Sequence, residues 1–189
     1  MRGFSLIELL VGIAVLALLL VAAAPSFTTW IQNAQIRTAT DATLAGLQLA
    51  RAEAIRRNTS VRFQLTTTLD SSCAMSTSGT NWVVSLDDPS GACDSAASDT
   101  TAPRIIQTRA AQEGSRNAAI TADQASIVYN ALGRLTPAPG AGINIDFTNP
   151  TGGTCAATGP MRCLRIVLST GGQIRMCDPA LASTSPQGC

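Results

Sequence analysis

From Leu9 to Ala24 the chain carries no charged residue, and Leu6 and Ile7 extend the apolar segment close to the ~20 residues that cross a bilayer as helix. One acid interrupts it. Glu8 sits inside the hydrophobic block, where an unpaired carboxylate costs on the order of 2–3 kcal/mol. An ordinary secretion signal avoids such a residue, although Met1-Arg2 could serve as its charged start and Ala22-Ala23-Ala24 as its cleavage site. Continuity separates the two readings. Beyond Pro25, Phe27, Ile31, Ala34, Thr38, Ala42, Ala45, Leu49 and Ala52 recur at helical spacing, and Leu44, Leu47, Ala54 and Ile55 widen an apolar face in the second half. Arg56-Arg57-Asn58 supplies cations for the helix C-terminus and a residue that tolerates left-handed geometry, so the helix is expected to end there.

Composition narrows the function classes. The 189 residues suit one domain besides a membrane helix. All positive charge is arginine and the formal net charge is only +1, which does not imply global attraction to nucleic acid. Histidine is absent, which removes Ser-His-Asp and Cys-His catalysis and the commonest zinc ligand, so no enzyme activity, metal or other cofactor is expected. Cys73, Cys93, Cys155, Cys163, Cys177 and Cys189 form an even set without a close Cys-x-x-Cys pair, which favours disulfides in the periplasm or outside the cell. Asp87, Asp88, Asp94 and Asp99 lack the spacing of a calcium loop and read as solvated loop residues.

From about Ser60 the pattern changes to alternation, with Val61, Phe63 and Leu65 separated by polar residues. Further strands are expected at Trp82–Leu86, Arg104–Gln107, Ala125–Tyr129, Ile143–Phe147, Cys163–Leu168 and Gln173–Met176, with turn-rich chain between them. One long helix followed only by strands implies an α+β domain, the helix packed on antiparallel β-sheet.

Gly3-Phe4-Ser5-Leu6-Ile7-Glu8-Leu9-Leu10, the apolar run and Pro25 resemble the class III signal of type IV prepilins and type II secretion pseudopilins. The resemblance implies that prepilin peptidase cuts between Gly3 and Phe4, that Phe4 becomes N-methylated, and that the apolar helix is retained. It also makes Glu8 the filament-assembly residue, pairing with a neighbouring subunit's amine, and Pro25 the helix-kinking proline. Buried charge is far cheaper when paired, which suits that role for Glu8. Leu47 to Arg57, Ile127 to Arg134 and Cys163 to Pro179 narrow the resemblance to the GspH/FimT family of pseudopilins and minor pilins. Residues 68–100 and 148–160 read as loop insertions.

The expected organisation is a leader at 1–3, a membrane and filament-core helix at 4–25, its amphipathic continuation at 26–58, and a β-rich periplasmic domain at 59–189. The resemblance implies a structural subunit at the tip or initiation complex of a type IV pilus or type II secretion pseudopilus. Its partners would be other major and minor pilins or pseudopilins, prepilin peptidase and the inner-membrane assembly platform. It would be held in the bacterial inner membrane by a single pass, its C-terminal domain periplasmic, before joining the filament. The alternative is a DNA-binding minor pilin for uptake during natural transformation. In that branch two arginines mark the last hairpin, but here Gly172-Gln173-Ile174-Arg175 keeps one, leaving Arg175, Arg165 and Arg162, with Arg134, as possible phosphate contacts or as a solvated strand face. The hairpin around Ser169 to Gly172 would bring Cys163 and Cys177 together. Elimination then pairs Cys73 with Cys93 and Cys155 with Cys189, one choice among many connectivities.

Overall fold

The computed structural model describes residues 5–110 and 113–189, and excludes the side chains of residues 22–25. Gly3, Phe4 and the Pro25 side chain therefore lie outside the described residues. A helix, α1, runs over Leu6–Arg57. Ser5 opens it, its Oγ accepting from the Glu8 N–H at 3.3 Å. Asn58 closes it in left-handed geometry (φ 51°), with its N–H turned back to the Ala54 and Ile55 carbonyls. The directions of Leu6–Val21 and Ser26–Arg57 differ by 41°. Among the described residues no single helix passes as a membrane span by length and composition, but this bent pair does.

Among the described residues eight strands follow: β1 Val61–Thr66, β2 Asn81–Ser85, β3 Ile105–Arg109, β4 Ala119–Ala122, β5 Ser126–Tyr129, β6 Ile143–Thr148, β7 Leu164–Leu168 and β8 Ile174–Cys177. The helix packs on antiparallel β-sheet as expected, and the strands form two sheets of four, in the orders β3-β2-β1-β5 and β4-β6-β7-β8. Strand β4 was not anticipated, because Ala-Ile-Thr-Ala offers a single large apolar residue. Its Ile120 is buried opposite Phe147. Between β4 and β5 the chain changes sheet, and the Asp123 carboxylate accepts both the backbone N–H and the side-chain amide of Asn144.

The second half of α1 lies against both sheets. Its buried side is Ile36, Ala39, Thr40, Thr43, Leu47, Ala50 and Ala54. Of the apolar series that starts at Phe27, Ala42 is buried and Leu49 packs against the core, whereas Phe27, Ile31, Ala34, Ala45 and Ala52 are exposed. Alanine occurs all round the helix, so hydropathy alone cannot orient it; small size selects the contact face instead. Gly46 meets the aromatic pair Phe63 and Trp82, whose ring centroids lie 5.6 Å apart. A Cβ at Gly46 would stand 2.8 Å from the Phe63 ring and 3.1 Å from Trp82. Above them Val61, Leu65, Ile127, Tyr129, Ile145, Phe147, Ile166 and Leu168 fill one continuous core.

The far face of the first sheet is covered by loops. Val83, Ile105 and Leu69 pack there with the Cys73–Cys93 disulfide, the bridge expected between the loops flanking β2. The other two bridges correct the expectation: Cys155 joins Cys163, and Cys177 joins Cys189. Register is the reason. Strands β7 and β8 pair with Arg165 opposite Cys177, which leaves Cys163 two positions beyond its supposed partner. Cys163 instead holds the loop that precedes it, while Cys177 fastens the tail.

Candidate assembly and nucleic-acid surfaces

Glu8 lies in the first turn of α1 on a wholly exposed helical stretch, surrounded by Leu6, Ile7, Leu9, Leu10, Val11 and Ile13. Among the described residues its carboxylate has no hydrogen-bond or ion-pair partner. Exposed side chains from Leu6 to Val21 give this half of the helix no contact face of its own. In water that surface is unfavourable, at about 25 cal/mol for each Å² of apolar area left uncovered. Lipid or other helices satisfy it.

The junction between helix and domain is hydrogen-bonded through Asn33. Its Nδ2 donates to the Pro160 carbonyl at 2.8 Å, and its Oδ1 accepts the Arg162 N–H at 2.8 Å. Gln32 donates to the Thr151 carbonyl at 3.4 Å. These residues clip the 149–163 loop to the helix. Nothing in their sequence setting marks that role, since all three partners are backbone groups over a hundred positions away.

The arginines disperse rather than converge. Arg165 faces Asp146 across the β6–β7 ladder and donates to both of its carboxylate oxygens, at 2.7 and 3.1 Å. That pairing raises the guanidinium pKa still further. It also consumes the fork that would grip a phosphate. Arg175, opposite Val167, shares the outer face with Arg165, as strand alternation implies, and reaches toward the Gly188 and Cys189 carbonyls at 3.4 and 3.3 Å. Arg162 donates to the Ala157 carbonyl at 2.8 Å and stands 4.0 Å from Asp178. Arg134 sits in the β5 turn against the β7–β8 hairpin, where a Cβ on Gly172 would fall 3.2 Å from its Cα. Among the described residues Arg134 has no acidic partner.

The aspartates likewise go to separate partners. Asp87 takes a bidentate pair from Arg104, which holds its carboxyl below the usual range. Asp88 accepts from the Ser90 N–H and hydroxyl, and Asp99 pairs with Arg57 at 2.6 Å. Among the described residues no three His, Cys, Asp or Glu side chains gather as a metal site would require.

A long N-terminal helix, bare in its first half and packed in its second on antiparallel sheets, is the architecture of a type IV pilin. Two crystal forms of the type IV minor pilin FimU from Pseudomonas aeruginosa share it. One matches with a TM-score of 0.51 at 15% identity over 79% of this chain and 93% of that one, the other with 0.51 at 14% over 79% and 98%. Residues 39–172 match the family of the type II transport protein GspH, and the chain belongs to that family. Residues 1–24 match the prokaryotic N-terminal methylation motif. No curated protein matches the chain.

Proposed function

We propose that this GspH-family pilin is a minor subunit of a type IV pilus or type II secretion pseudopilus, placed at its tip or initiation complex, and that it has no catalytic role. Prepilin peptidase cuts between Gly3 and Phe4 and Phe4 is methylated. The apolar segment from Phe4 to Pro25 then holds the chain in the inner membrane, with residues 59–189 in the periplasm, until the assembly platform transfers it to other pilins. The observation that carries this reading is Glu8, an exposed acid without a partner among the described residues, on a helix with apolar side chains on every side. A neighbouring subunit's terminal amine supplies the missing charge, and hydrogen-bonded pairing offsets the desolvation. Pro25 bends the helix between its two halves, since a proline removes one backbone hydrogen bond.

The test is processing together with assembly. The mature chain should begin at methylated Phe4, and Glu8→Val should be processed normally yet fail to co-purify with filament subunits. A mature product that retains Met1, or a Glu8→Val chain incorporated as well as wild type, would overturn the proposal. DNA binding during uptake is the weaker reading, because Arg165 is already held by Asp146 and Arg175 by the tail carbonyls.

A further inference from the structure

The geometry points to Phe27 and Trp30 as an anchor at the periplasmic face of the bilayer, their rings lodged among the phospholipid headgroups before the subunit enters a filament. This rests on the membrane reading of α1 given above. The two rings stack on consecutive turns with centroids 5.9 Å apart, and they are 61% and 65% exposed. The globular domain does not cover them. Gln32 and Asn33, two and three residues beyond Trp30, hydrogen-bond the 149–163 loop, so a membrane surface can approach as far as Trp30 before meeting that loop.

Length selects the occupant. No charged residue lies between Glu8 and Arg37, yet the uncharged stretch changes character at Ser26, from aliphatic to Ser, Thr, Gln and Asn with two aromatics among them. Measured along the helix path at about 1.5 Å per residue, Phe27 stands roughly 33 Å beyond Ser5 and Trp30 roughly 38 Å, which the bend shortens by only a few ångström in depth. A hydrocarbon core of about 30 Å, with headgroups extending the bilayer to about 40–45 Å, places the Phe27 ring at the far hydrocarbon boundary and the Trp30 indole at headgroup level. Indole suits that level because its ring is apolar while its N–H donates to water or phosphate.

Trp30 can be read separately from Trp82, which is 3% exposed in the core. The full-length chain is reconstituted into phosphatidylcholine–phosphatidylglycerol vesicles, and the spectrum of Trp30→Phe is subtracted from that of wild type. The difference should be blue-shifted from aqueous indole, quenched more by lipids brominated near the headgroup than by lipids brominated near the chain ends, and unchanged on dilution with lipid. An aqueous emission maximum from a chain that floats with the vesicles would sink the anchor and leave the membrane reading standing. Stronger quenching at the chain ends would also sink it, as would shielding that disappears on dilution, which would make a neighbouring chain the occupant. Failure to float would remove both inferences together.

Discussion

Replacing Gly46 by alanine should destabilise this protein, although the same change at an open helical position does the reverse. Relieving a mid-helix glycine is worth about 1 kcal/mol of helix propensity. Against that, the new methyl would lie 2.8 Å from Phe63 and 3.1 Å from Trp82, both rings fixed in the core. Overpacking of this kind costs about 1–3 kcal/mol. Taking the middle of that range, the net is a loss of about 1 kcal/mol, or about 2–4 °C in melting temperature for a domain of this size. Phe63→Leu removes the obstructing ring edge, so in that background Gly46→Ala should recover most of its propensity gain. The sign should therefore reverse, with a coupling of about 1–2 kcal/mol in the double-mutant cycle. Thermal unfolding of the four full-length variants in detergent, followed by near-ultraviolet circular dichroism, measures it. A stabilising Gly46→Ala in the wild-type background, or strict additivity, would refute the close approach of helix and sheet.

Two further outcomes follow from named contacts. Glu53 accepts from Arg56 and Arg57, which hold its pKa at about 2, down from 4.5. A lowered folded-state pKa stabilises above the unfolded value, so this contribution should be complete above pH 4.5 and fade as the pH falls toward 2. Discounted for solvent, it is about 1 kcal/mol, and a Glu53→Gln chain whose stability falls across that range as steeply as wild type would contradict the assignment. Asn33→Ala deletes two hydrogen bonds to the 149–163 loop, a loss of about 1–3 kcal/mol, and should speed hydrogen exchange at the Arg162 amide. Unchanged exchange there would mean that the loop holds its place without the clip.

Much of the architecture could be read before any coordinates, for reasons that also explain the errors. Alternation at Val61, Phe63 and Leu65 is a strong period-two signal, and all three residues are buried. Asn58 stands out as a cap because the two arginines before it suit a helix end. The docked face of α1 was legible only in part: Leu47 and Ala54 are buried as expected, but hydropathy treats Ala45 and Ala50 alike, although only Ala50 is buried. The informative residue was Gly46, a poor helix former whose presence mid-helix signals close approach. Disulfide pairing failed on a smaller quantity. The hairpin was recognised, but its register, with Leu168 opposite Ile174, depends on turn geometry and moves Cys177 out of reach of Cys163. The Glu8 surroundings were legible because charge within an apolar run is rare. The fate of the arginines was not, since Asp146 finds Arg165 only through strand pairing.

The placement of the bridges also says how mechanical load would pass through the molecule. Their sequence separations are 20, 8 and 12, and none is anchored in α1 or links one sheet to the other. Besides side-chain contacts such as the Asn33 clip to the 149–163 loop, tension on the helix has two main exits: the packed seam at Gly46, and the short link from Asn58 into β1, which is flanked on both sides by β2 and β5. Reduction would loosen loops and tail while leaving that route intact.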